Sequence, residues 1–116
     1  MKEKLEEIRP WGKFEVFIDN ADCKVKRITV NPGEKLSYQY HNRRHEVWTI
    51  VSGNATLTLD DEISHHTYGA TIQIPIGTKH RVENKSLDPL VFIEVQYGGY
   101  FGEDDIVRLD DKYNRK

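Results

Sequence analysis

Residues 33–53 read GEKLSYQYHNRRHEVWTIVSG, and this stretch decides the fold. Gln39 and His41 stand two apart, so in an extended chain both side chains leave the same face, while Leu36, Tyr38 and Tyr40 leave the other. After a short connection Glu46, Trp48 and Ile50 again share a face. An acidic residue opening the most hydrophobic run of the chain is costly unless it is paired or bound to a cation. Alternation with a period of two, bounded by Gly33 and by Ser52-Gly53-Asn54, predicts short strands and no helix.

The same pattern continues in both directions. Phe14, Val16 and Ile18 alternate with Lys13, Glu15 and Phe17, and further strands are predicted at 24–30, 36–41, 46–52, 55–59, 62–67, 71–75, 80–84 and 90–97. Asn31-Pro32-Gly33, Asp60-Asp61 and Pro75-Ile76-Gly77 supply turns between them. Ile and Val together number 19 against 10 for Ala and Leu, a strand-former's composition. Residues 2–8, KEKLEEI, predict one helical turn or a frayed arm, and residues 103–116 predict one edge segment followed by a loose end. The expected architecture is an all-β sandwich or barrel in a single domain over 1–116, with its core at about 9–100.

Composition narrows the function classes. Seventeen basic residues face nineteen acidic ones, a net charge of −2, which argues against a general nucleic-acid binder. No apolar run approaches the ~18 residues of a membrane span, and the opening MKEKLEEIRP is too charged for a signal peptide. The single cysteine, Cys23, excludes an internal disulfide framework, so a cytoplasmic protein is the expectation. The apolar fraction of 37% is thin for so small a chain, and a homodimer is expected to supply more core.

Four residues capable of ligating a metal fall at strand starts or ends: Gln39, His41, Glu46 and His80. Two imidazoles, a carboxylate and an amide form a mixed N/O set suited to a borderline divalent ion with open positions. Taken singly, each has a plainer reading, Gln39 as a solvated face residue and Glu46 as half of a surface ion pair. His45, His65 and His66 keep the plain reading, the last two because neighbours on a strand point to opposite faces.

Residues 33–53 resemble cupin motif one, with Gly33, Gln39, His41, Glu46 and Gly53 at its fixed positions. Residues 69–84, GATIQIPIGTKHRVEN, resemble cupin motif two at Gly69, Pro75, Gly77, His80 and Asn84. Arg9-Pro10-Trp11-Gly12, KVKRITVNPG at 24–33 and IEVQYGGYFGEDDIVRL at 93–109 are similar to the cupin-type mannose-6-phosphate isomerases, as is glutamine at the first ligand position. In two places the chain departs from that family. A run of histidines usual after the glutamine reads Tyr40-His41-Asn42-Arg43, and Val47 stands where a histidine is common.

The resemblance implies a double-stranded β-helix, or jelly-roll barrel, holding one divalent ion (Zn, or Mn, Co or Fe) on Gln39, His41, Glu46 and His80. It implies an aldose–ketose isomerase interconverting mannose 6-phosphate and fructose 6-phosphate through an enediolate. In that family the domain is often attached to a nucleotidyltransferase that makes GDP-mannose, so a separate nucleotidyltransferase is an expected partner. The alternatives are a non-catalytic sugar- or sugar-nucleotide-binding cupin and a small metal oxygenase.

Such an isomerase needs a base and a cation for the sugar phosphate. Lys26, Arg27, Arg44, Lys79 and Arg81 are the candidate cations; Arg44 shares a side with Glu46, and Lys26 with Ile28 and Val30. The run KVKR also reads as an edge strand protected by charge. For the base, strand parity leaves Glu94 open: it lies outside if Ile93 and Val95 pack between the sheets, and faces the metal if they do not. Trp11, on an arm before the first long strand, is placed to line the pocket mouth or to anchor the core.

Overall fold

The computed structural model describes residues 5–113. Among them eleven strands form and no helix: β1 Leu5–Arg9, β2 Gly12–Asp19, β3 Lys24–Val30, β4 Tyr38–Tyr40, β5 Arg44–Ser52, β6 Ala55–Leu59, β7 Glu62–His66, β8 Thr71–Ile74, β9 His80–Glu83, β10 Leu90–Gly98 and β11 Val107–Asp110. They build two antiparallel sheets, one ordered β1-β2-β3-β10-β5-β8 and the other β11-β4-β9-β6-β7. The chain passes back and forth between the sheets, so each sheet presents one face to the other and buries it. No described helix is long and apolar enough to cross a membrane.

Register explains where the core ends and the polar interior begins. On the inner face of three adjacent strands, Val30 and Leu90 are opposed, and Ile28, Phe92 and Ile50 form the next row across β3, β10 and β5. The following row is Lys26, Glu94 and Trp48, and the last is Lys24, Gln96 and Glu46. All of these side chains are buried. One half of the barrel is therefore a dry apolar plug, closed from the opposite sheet by Leu57 and Val82. The other half is lined by charge, which a domain this size tolerates only where the charges are paired or serve a ligand.

Residues 5–9 depart from the helical turn or frayed arm expected of them. They pair with β2 in continuous register from Leu5↔Val16 to Arg9↔Gly12. The cause is the two-residue connection Pro10-Trp11: it folds the chain straight back, and the free edge of β2 then offers a complete ladder of backbone partners. Gly12 makes the connection possible, because a Cβ there would lie 2.0 Å from the Thr29 carbonyl oxygen of β3. Residues 2–4 of that expectation lie outside the described residues.

The C-terminal segment also departs from a loose end. β11 pairs with β4 as the expected edge segment, but the chain on either side of it is tied down. Phe101 and Asp105 are buried before it, and after it Tyr113 packs against the core while Lys112 bonds Glu34 at 2.6 Å. Residues 99–106 form a strap over the polar end of the barrel, held by contacts too distant in sequence for a local pattern to reveal. Residues 114–116 lie outside the described residues.

Candidate metal centre and pocket

β4 and β9 adjoin in the second sheet with Gln39 opposite His80, while Glu46 comes from β5 of the first sheet. His41 lies just past β4, in the connection to β5. The tight turn before β9 fixes that connection: Gly77, at φ +82°, donates its N–H to the His41 carbonyl at 2.8 Å. His41, Glu46 and His80 are all buried, and one ligand atom of each lies within 4.8 Å of the others. Gln39 lines the same cavity.

The hydrogen bonds of the two histidines select their tautomers. His41 Nδ1–H donates to the Asp105 carbonyl at 2.6 Å and His80 Nδ1–H to the Thr78 carbonyl at 2.9 Å. Each ring is thereby aimed with Nε2 as its remaining lone pair, the arrangement that metal-binding imidazoles need. His41 Nε2 stands 3.2 Å from Glu46 Oε2. Two acceptors at that distance repel unless a cation lies between or beside them. Arg44 supplies part of that charge, its Nε donating to Glu46 Oε2 at 2.8 Å and its guanidinium reaching within 3.3 Å of His41 Nε2. Trp48 Nε1–H occupies the other carboxylate oxygen at 3.0 Å. The donor set fits a borderline divalent ion: two neutral imidazoles, one carboxylate and an adjacent amide.

Electrostatics separates the carboxylates. Burial opposes ionisation of Glu46, but the Arg44 guanidinium first, with the His80 and His41 rings beside it, outweighs burial and holds the carboxyl below its usual range. Glu94 moves the other way: burial, reinforced by the negative charge of Glu46, pushes it well above the usual carboxylate range against the pull of Lys26 and Arg44. Burial draws the His41 imidazole below its ordinary value, which keeps its lone pair available.

Glu94 points into the cavity, resolving the two orientations that parity left open. The fully buried Phe92 and Leu90 share its face. Its carboxylate accepts from Gln96 Nε2 at 2.6 Å. Lys26 and Arg44 line the cavity, and Trp11 does so while also belonging to the core. Arg27 lies apart. It leaves the opposite face of β3, forms a bidentate pair with Glu15 through Nε and Nη2, each at 2.8 Å, and sits over the Phe17 ring on the outside of the sheet. Lys79 and Arg81 pair with Asp61 and Asp110 at the second sheet.

Three further residues contribute, the first two without any periodic signal. Asp105 accepts the backbone N–H groups of Asn42 at 3.0 Å and Arg43 at 2.9 Å, clamping the connection that carries His41. Glu103 receives Lys26 at 2.8 Å and Lys24 at 3.2 Å. Gln96 braces Glu94 from behind. Asp105 and Glu103 lie in a charged run that reads as a solvated tail, although it falls within the segment 93–109 that carries the family resemblance.

A double-stranded β-helix enclosing a His–Glu–His cluster defines a cupin with a candidate metal site. The chain belongs to the mannose-6-phosphate isomerase C-terminal family, whose sequence model matches residues 1–111. It is 48% identical over 107 residues to a mannose-1-phosphate guanylyltransferase of Salmonella montevideo, covering 92% of this chain and 23% of that protein. It is likewise 48% identical over 107 residues to the xanthan biosynthesis protein XanB of Xanthomonas campestris pv. campestris, again covering 92% and 23%. The chain thus spans about a quarter of the length of these curated relatives. Among solved structures, a Klebsiella pneumoniae protein with a double-stranded β-helix domain superposes with a TM-score of 0.73 at 22% identity, over 83% of this chain and 77% of that one. That likeness concerns the fold.

Proposed function

We propose that this domain is a metal-dependent sugar-phosphate isomerase interconverting mannose 6-phosphate and fructose 6-phosphate. One observation carries the reading: a single cavity holds the His41–Glu46–His80 cluster, a buried carboxyl on Glu94, and the cations Lys26 and Arg44. The family to which the chain belongs, and relatives named for mannose 1-phosphate, point to the same sugar.

The chemistry moves one proton between adjacent carbons. Glu94, as carboxylate, takes the proton from C2 of the open-chain aldose; the electron pair forms the C1–C2 double bond and the carbonyl pair moves to O1, giving an enediolate in which the O2 proton passes to O1. Returning the carbon-bound proton to C1 closes the ketose carbonyl at C2. A base that both takes and returns a proton must keep its position between the two steps, and the Gln96 amide holds the Glu94 carboxylate for this. Arg44 stands beside the cluster, where negative charge on O1 and O2 develops in the enediolate. Gln39, His41, Glu46 and His80 would hold a divalent ion, which would supply Lewis-acid charge to the reaction. Lys26, opposite Glu94 on the neighbouring strand, is the cation for the phosphate.

The test is a coupled assay for interconversion of the two hexose phosphates, on chelator-stripped protein and after restoring a divalent ion. Activity that vanishes and returns supports the reading, and Glu94→Gln should then lower kcat by about 10²-fold or more with fold and metal content retained. Folded, metal-loaded protein without turnover would overturn it in favour of a sugar-binding cupin.

A further inference from the structure

We propose that Glu103 is an internal anion occupying the subsite of the substrate's phosphate, and that the phosphate dianion binds by displacing it from Lys26 and Lys24. This inference rests on the sugar-phosphate reading and names the group that governs its anion site.

The two lysines are successive inward-facing residues of β3, with side chains only 5% and 10% exposed. Two ammonium groups so close and so poorly hydrated require negative charge between them. They share a single oxygen, Glu103 Oε2, at 2.8 Å and 3.2 Å. Lys24 adds the Phe101 carbonyl at 3.3 Å and a distant contact with Asp19 at 4.0 Å, while Lys26 rests over the Phe14 ring, 4.1 Å from its centroid. Glu103 serves both ammonium groups through one shared oxygen, whereas a phosphate dianion carries more charge and has three oxygens to divide between the two donors.

Mobility is unequal on the two sides of the contact. The lysines are anchored in a central strand and lined by the core. The Glu103 side chain is 45% exposed and projects from the strap over the cavity mouth, so it can swing into solvent when a stronger anion takes its lysines. Position agrees with the chemistry. Lys26 on β3, Glu94 on β10 and Glu46 on β5 belong to three consecutive strands, so the strands that carry the anion site and the metal cluster lie two inter-strand spacings apart, roughly 10 Å between backbones. An open-chain hexose phosphate is of that length. Phosphate at Lys26 therefore sets its first two carbons near Glu94 and the cluster. Glu103 would also reject neutral sugars, which have nothing to offer in exchange for a carboxylate on two lysines.

The experiment measures binding of inorganic phosphate, mannose 6-phosphate and mannose to the chelator-stripped full chain by calorimetry, so that turnover plays no part, and of inorganic phosphate again with a divalent ion restored. Glu103→Gln and Glu103→Ala are expected to bind phosphate and mannose 6-phosphate at least about ten-fold more tightly than the unaltered chain, because a charge-assisted competitor is gone. Lys26→Gln in the Glu103→Gln background should remove that gain, and mannose should be indifferent to all three. Phosphate affinity that is unchanged or weakened in folded Glu103 variants would overturn the proposal and make Glu103 a structural counter-ion. A gain that survives the loss of Lys26 would overturn it as well. An inactive protein showing the expected binding shifts would overturn the isomerase reading and leave the anion exchange standing.

Discussion

Asp105 holds His41 twice over: its carbonyl accepts the imidazole Nδ1–H at 2.6 Å, and its carboxylate accepts the next two backbone N–H groups, of Asn42 and Arg43. A residue 64 positions downstream thus fixes both the tautomer of the histidine and the path of the chain that carries it. Replacing Asp105 with Ala keeps the carbonyl contact but frees the connection between β4 and β5. Metal affinity should fall by about 10- to 100-fold, as for other groups that orient ligands from behind. Competition against a chromophoric chelator reads this directly, and unchanged affinity would assign the clamp to folding alone.

His80→Ala should lose most bound metal while the domain still folds. Metal content after dialysis, compared with near-ultraviolet circular dichroism on the same sample, separates the two effects. Stoichiometric metal retained by the folded variant would contradict the ligand assignment.

Acid should loosen the strap. Burial opposes the ionisation of Glu103, but Lys26 and then Lys24 dominate and hold its carboxyl at about 2, against an ordinary value of 4.5. Because the folded value lies below the unfolded one, its stabilisation is complete above about pH 4.5 and drains away as the pH falls toward 2. Urea unfolding at pH 7 and pH 3 should therefore show a smaller pH-dependent loss in Glu103→Gln than in the unaltered chain. Equal losses would place the acid sensitivity elsewhere.

Phe92 stacks on Trp48 with ring centroids 4.4 Å apart and is fully buried between the sheets. Phe92→Ala should cost about 3–5 kcal/mol of stability, for lost burial and the cavity left behind. Because Trp48 also donates to Glu46, metal affinity should drop with it. Chemical denaturation with and without metal measures both; a cost below about 1 kcal/mol would mean that the interior closes over the gap.

Much of the site is legible in the chain because it is written at strand period. The pleat forces residues two apart onto one face, so Gln39 with His41, and Glu46 with Trp48 and Ile50, are consequences of local geometry alone. The turn residues at Gly33, Gly53 and Gly77 mark the same frame, and all three adopt positive φ. Residues 5–9 are not legible in this way, since their strand exists only by pairing to the edge of β2.

Alternation and turns depend on neighbours along the chain, and from them alone follow the all-β class, the grouping of side chains by face and the four candidate ligands. Which face of β10 turns inward is settled only by packing. Both faces carry apolar residues, and the opposing sheet is what distinguishes Glu94 beside Phe92 from Ile93 and Val95. Packing likewise makes the acidic run at 103–105 a strap over buried lysines. Charges read one at a time prefer water; Glu103 and Asp105 are held because strand β3 and the connection after β4, more than sixty residues upstream, bring cations and backbone donors to meet them.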